Sequence, residues 1–323
     1  MVKIAKLFGY TAMGVGNHDF DDGSEGLLPF VANCSFPVLG ANLNLTSYPE
    51  LGEYLKKSTI GNFARGTYLL TLSFLFIVFC IFYVVTVKGV KIGIIGYITK
   101  DRKVFCTECI ENIDILDEIA SVQDEAKRLK GQGVDIIIAA GHAGYDIDMK
   151  MAEQIEELDL VVGGHSHTYL FTREDGKEPP SIEKPKGDYP TYIKQESGKV
   201  VPVVQVYCYT KYLGHLELHF DANGELLTPV KGRGVSFAEP KIMRQDIPED
   251  KEIKEALEEF RDELKEYQVR IGETTEDLMK VYDGESNIGN LVTDAARTCY
   301  WKDTTISFQN NGGIRYVQCC QLF

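Results

Sequence analysis

Three stretches of this chain share one construction, an apolar run that breaks at glycine and then delivers a histidine. Tyr10-Thr-Ala-Met-Gly-Val-Gly-Asn-His-Asp-Phe-Asp21 carries Asn17 and His18, Asp135-Ile-Ile-Ile-Ala-Ala-Gly-His-Ala-Gly144 carries His142, and Leu158-Asp-Leu-Val-Val-Gly-Gly-His-Ser-His-Thr168 carries His165 and His167. Each run has the length and composition of a buried strand, and the small residues after it let the backbone turn sharply. In an open α/β sheet, parallel strands collect their functional groups in the crevice beyond their carboxyl ends. Four of the six histidines lie at such ends, so the pattern predicts a convergent metal site. Neutral imidazole is a common nitrogen ligand for zinc-like ions, and Asn or Asp oxygens complete a mixed shell. Any one of these histidines alone is equally well a hydrogen-bonded turn residue. The repetition of the pattern makes coincidence the weaker reading.

Gly16-Asn-His-Asp-Phe-Asp21, Gly141-His142 and Gly164-His-Ser-His167 resemble the metal and catalytic motifs of the calcineurin-like metallophosphoesterases. More narrowly, the chain resembles the animal 5'-nucleotidase and apyrase family, which hydrolyses phosphate from extracellular nucleotides. Phe36-Pro-Val-Leu-Gly-Ala-Asn42, Val90-Lys-Ile-Gly-Ile-Ile-Gly-Tyr97, Val201-Pro-Val-Val-Gln205, Lys211-Tyr-Leu-Gly214 and Asn310-Asn-Gly-Gly-Ile-Arg315 carry the same resemblance. It implies a four-layer αββα sandwich, a connecting helix and the start of a second α/β domain. It also implies two divalent ions, zinc foremost, with manganese, calcium or magnesium as alternatives. By motif, Asn17, His142 and His165 would bind one ion and His167 would contribute to the other. His18 would stabilise charge on the transferred phosphoryl group and leaving oxygen, with Asp21 orienting its imidazole and supporting its charged form. Asn310, Gly313 and Arg315 would contact the nucleotide, a nucleoside mono-, di- or triphosphate. The resemblance further implies a secreted or cell-surface protein capable of homodimerisation.

In that family an Asp-x-His pair and a metal-bridging Asp lie upstream of the Gly-Asn-His motif, whereas 16 residues precede Asn17 here. The expectation is therefore a chain truncated at both ends with a partial metal site. The alternative is a catalytically inactive nucleotide-binding or membrane-tethered relative.

The formal net charge of −14 offers no basic stripe for phosphate neutralisation and argues against a nucleic-acid partner. A small nucleotide, bound through ions and a few local donors, is compatible with it. The amino terminus lacks the apolar core and small-residue cleavage site of a signal peptide. Asn33-Cys-Ser35 and Asn44-Leu-Thr46 fit the N-glycosylation pattern, and the eight cysteines follow no zinc-knuckle spacing.

Residues Gly66 to Val87 are uncharged between Arg65 and Lys88, and hydropathy alone reads them as a membrane-spanning helix. A single span would put Asn17 and His18 on one side of a membrane and His142, His165 and His167 on the other. No common site could then form, so an insertion over 61–84 is the favoured reading. Membrane association through 66–87 or through an anchor elsewhere is the other. A buried helix is disfavoured by the β-branched and aromatic content.

From Val90 the spacing predicts a strand to Tyr97, an amphipathic helix from Ile119 to Lys130, a strand from Val134 to Ala140 and a helix from Asp146 to Glu157. Further strands are predicted over Val200 to Val206 and Leu213 to Phe220. His215 and His219, the two remaining histidines, decorate a sheet face there. By the resemblance, residues 1–240 would form the metal domain. A long helix opens at Ile247-Pro248-Glu249 and fills 247–272, its apolar face running from Ile253 to Ile271. By the same resemblance, residues 273–323 would begin a nucleotide-binding domain, in which the glycine pair would admit a ligand to the backbone and Arg315 could offer a bidentate donor to phosphate. As an isolated signal, Gly-Gly-Ile-Arg is also an ordinary turn.

Overall fold

The run after Asp135 forms the strand Ile136–His142, buried at all seven positions. A near-continuous apolar run of this kind, opened by three isoleucines, suits a strand covered on both faces. In a computed structural model of the chain it lies inside a six-stranded sheet, in the order Thr191–Lys194, Val200–Val204, Leu160–Val162, Ile136–His142, Lys91–Ile98, Ser58–Asn62. The four inner strands run parallel and the two edge strands antiparallel. Register places Gly141 opposite Tyr97 and Ala140 opposite Val162. The carboxyl ends of the inner strands therefore open on one edge.

The residues described are 2–62, 70–75, 77–82, 90–105, 110–173, 176–221, 226–227, 235–244, 246–261, 265, 272–276, 278–279, 284–300, 303–309, 314 and 318–319. The chain divides into two compact units, 1–253 and 254–323.

Alternation along Lys91–Ile98 decides what covers each face of the sheet. A Cβ at Gly93 would lie 2.8 Å from Leu129 Cδ1, so this face receives the helix Glu118–Gly131. That helix buries Val122, Ala126 and Leu129 at spacings of four and three, and burying a leucine of this kind contributes about 1.5–3 kcal/mol. Asp117 Oδ1 caps it by accepting from Ala120 N at 2.9 Å. Tyr145–Gln154 packs on the same face, where Tyr97 Oη donates to Asp148 at 2.8 Å.

The opposite face meets a second, three-stranded parallel sheet made of Met13–Gly14, Val38–Leu39 and Leu55–Lys56. Glycine is required at this junction. A Cβ at Gly96 would come within 2.3 Å of the Leu39 backbone, and one at Gly14 within 2.4 Å of Ala140 O. Beyond the small sheet, the helix Gly23–Asn33 sets Leu27 and Val31 into a core with Met13, Val15, Phe20 and Val38. Helix, sheet, sheet, helix is the four-layer αββα arrangement that the motifs imply. The three histidine-bearing runs do not share one sheet, because Met13–Gly14 belongs to the smaller one.

Within 66–87 the described residues form two antiparallel strands, Leu70–Leu75 and Ile77–Phe82, and not the helix that hydropathy alone suggests. Leu70–Leu75 pairs with Tyr212–Leu218, which also pairs with Val235–Ile242. β-branched and aromatic residues favour this outcome when an adjacent edge supplies backbone partners. Residues 63–69, 76 and 83–89, which include both ends of the segment, lie outside the described residues. No helix among the described residues is long and apolar enough to cross a membrane.

The helix expected from Ile247 starts at Lys251 and is described to Glu258. Asp250 Oδ1 accepts from Ile253 N at 3.0 Å, so Asp250 is the cap and Pro248 stays outside. Residues 262–264 and 266–271 of the expected helix lie outside the described residues. In the second unit, Ser286 Oγ caps the helix Asn287–Cys299 by accepting from Gly289 N, and Leu278, Ile288 and Ile314 form a small core.

Candidate metal centre

The strand Met13–Gly14 leads into a 3-10 turn, Asn17–Phe20, tied by Gly16 N donating to Asp19 Oδ2 at 2.8 Å. Asn17 is buried, and its Nδ2 donates to Val104 O at 2.8 Å. That bond fixes the amide, so Oδ1 faces His142 Nε2 at 2.8 Å. His142 is the last residue of its strand. Its ring lies 4.9 Å from that of His165, at an interplanar angle of 69°. Residues 125 positions apart in sequence thus meet because two sheets face each other with their carboxyl ends at one edge.

Burial holds the His142 imidazole well below its ordinary 6.5, and His165, His167 and His18 depress it further. Burial and then His18 also lower His165, against the attraction of Asp101. Both rings are therefore neutral at pH 7, the form that ligates a cation. His18 stands at the more open side, its Nδ1 2.9 Å from Asp21 Oδ2 with side chains 39% and 58% exposed. His167 sits edge-on to Tyr209 with ring centroids 5.6 Å apart. Burial pushes Asp19 up to about 7, leaving this neighbouring acid partly protonated at neutral pH.

His165 and His167 both have positive φ, 73° and 50°, a costly conformation for residues with a Cβ. Gln205, Asp148 and Tyr97, to which sequence reasoning gives no role, lie buried against this turn. Gln205 ends an apolar run, Val201-Pro-Val-Val, much as the histidines do, and that was the available signal.

The motifs imply a divalent ion, and the donor set can be tested for it. Asn17 Oδ1 and His142 Nε2 lie 2.8 Å apart, close enough to be shared by one ion, while the other ring nitrogen, Nδ1, is buried with no hydrogen-bond partner. Two neutral imidazoles and an amide oxygen fit a borderline ion in donor type. Asn17, His142 and His165 are the residues that fit. Among the described residues no group of three or more His, Cys, Asp or Glu side chains is placed to hold an ion. Asn310, Gly313 and Arg315 lie outside the described residues.

Residues 3–169 match the family model for calcineurin-like phosphoesterases. The chain is 35% identical to mouse 5'-nucleotidase, covering 96% of this chain and 50% of that protein. It is 38% identical to the 5'-nucleotidase of Diplobatis ommata, covering 95% of this chain and 50% of the relative. The chain thus spans half the length of the curated relatives it matches. Among solved structures, the 5'-nucleotidase precursor of Thermus thermophilus superposes with a TM-score of 0.78 at 32% identity, over 96% of this chain and 55% of that one. The match to the family model takes in Asn17, His18, Asp21, His142, His165 and His167 together, and the chain belongs to the calcineurin-like phosphoesterase family.

Proposed function

We propose that the protein is a metal-dependent nucleotide phosphohydrolase of the 5'-nucleotidase or apyrase type, releasing phosphate from nucleoside phosphates with two divalent ions, zinc foremost. The observation that carries this reading is the 2.8 Å approach of Asn17 Oδ1 to His142 Nε2, with the His165 ring beside them. When bound, such ions polarise phosphoryl oxygens and make water a better nucleophile at neutral pH. Asn17, His142 and His165 would hold one ion and His167 would turn to the other. His18, oriented by Asp21 through Nδ1, donates to a phosphoryl or leaving oxygen as negative charge builds there. Asn310, Gly313 and Arg315 would contact the nucleotide. The same reading puts the protein at the cell surface or outside the cell, where Asn33 and Asn44 would be accessible to glycosylation.

Removing the proton donor separates chemistry from ion binding. His18→Ala should lower kcat for AMP by roughly 10²–10⁴-fold while the zinc affinity of the chain stays unchanged. Equal losses of zinc affinity and turnover would give His18 a ligand's role and contradict this assignment.

A second reading is a non-catalytic nucleotide-binding relative. It predicts nucleotide binding by calorimetry without phosphate release at any ion concentration.

A further inference from the structure

Gln205 is fully buried at the end of the strand Val200–Val204 and reaches across to the turn that carries His165 and His167. Its Nε2 donates to Gly164 O at 3.0 Å, immediately before His165. Its Oε1 accepts from Thr168 N, immediately after His167, and from Ser166 Oγ at 3.1 Å between them. One side-chain amide therefore bonds to both ends and the middle of the turn whose two histidines hold φ of 73° and 50°. The amide orientation is forced. Turned over, it would set N–H against N–H at Thr168 and C=O against C=O at Gly164.

A second layer holds the amide in turn. Gln205 Nε2 lies 3.4 Å from Asp148 Oδ2, and Asp148 Oδ1 accepts from Tyr97 Oη at 2.8 Å. The Asp148 carboxyl is pressed onto Gly163, where a Cβ would come within 1.7 Å of Oδ2. Ser166 Oγ accepts from Tyr145 N at 3.0 Å, joining the turn to the start of the helix that supplies Asp148.

We propose that Gln205 is a positioning residue that clamps the His165-Ser166-His167 turn in its left-handed conformation, and that Asp148 and Tyr97 orient its amide. Neither histidine would keep this backbone unaided, because positive φ is unfavourable for a residue with a side chain. The clamp converts an unfavourable turn into a fixed presentation of two imidazoles. Its bearing on ion affinity rests on the reading of the centre given above, while the clamp itself rests only on the hydrogen bonds.

Imidazole NMR spectra of the whole chain separate the two. Gln205→Leu removes all three bonds at nearly constant volume. Gln205→Glu keeps the acceptor for Thr168 N but sets an acceptor against Gly164 O. In both, the ring signals of His165 and His167 should shift while those of His215 and His219 stay in place. Asp148→Asn, whose side-chain carbonyl can still accept from Gln205, should give spectra close to wild type. Zinc titration of both Gln205 variants should show roughly 10–100-fold weaker binding. A merely structural role would lower the unfolding midpoint and leave the folded-state ring signals unmoved, and unmoved His165 and His167 signals in either folded variant would overturn the proposal. If those signals move but the wild-type chain binds no zinc, the clamp stands and the ion-site reading fails.

Discussion

At the residue scale, the centre depends on polar groups buried deeply enough that their protonation is set by the fold. Asp148 shows this away from the proposed ion ligands. Burial holds its carboxyl well above the ordinary 3.8, so the folded protein keeps a proton that the unfolded chain releases. The contribution is fully present below about pH 3.8 and is lost as pH rises through the folded value. Wild-type stability should therefore fall with rising pH over that window more steeply than that of Asp148→Asn. Urea midpoints for the two proteins across the acid-to-neutral range check this, and parallel curves would mean that Asp148 is ionised in the fold. Asn17, His142 and His165 were legible in the sequence because glycine and histidine after an apolar run form a local pattern. Gln205 was not, since its role exists only once strand Val200–Val204 lies in register beside Leu160–Val162. The Val104 carbonyl that fixes the Asn17 amide was hidden for the same reason, 87 positions away.

At the scale of elements, the two sheets approach so closely that glycine is needed where their backbones cross. Gly96→Ala would press a methyl into the Leu39 carbonyl at 2.3 Å. It should destabilise the chain by about 1–3 kcal/mol in urea or thermal unfolding. Gly131→Ala is the matched control, with nothing within 4 Å of the added Cβ. It should change stability by less than about 1 kcal/mol, on the favourable side. Leu129→Ala, which empties the groove over Gly93, should cost about 2–5 kcal/mol. The helices over 118–131 and 145–154 and the parallel strands were readable from period and length. The hydrophobic stretch within 66–87 was not, because an uncharged and almost continuously apolar run carries too little period to distinguish helix from strand. Leu70–Leu75 becomes a strand beside Tyr212–Leu218, a partner more than a hundred residues downstream, and Ile77–Phe82 pairs onto it. The start of the helix at Lys251 was displaced from the proline signal by Asp250, a capping acid among several.

At the scale of the whole molecule, the unit 1–253 contains every histidine of the candidate centre, while the nucleotide-contact residues proposed at 310–315 belong to the unit 254–323. Ion binding should therefore follow the first unit and nucleotide preference the second. From the net charge of −14 a polynucleotide is expected to be a poor ligand, so on the proposed reading single- or double-stranded DNA should leave AMP hydrolysis unchanged when added as a competitor. The measurement to make is inorganic phosphate release from AMP, ADP and ATP by the whole chain with zinc or manganese, beside His142→Ala. Release that requires the ion and disappears in His142→Ala is the predicted result. Release unaffected by the substitution or by chelation of the ion, or no release from the folded and ion-supplied chain, would contradict the assignment of a hydrolytic metal centre to Asn17, His142 and His165.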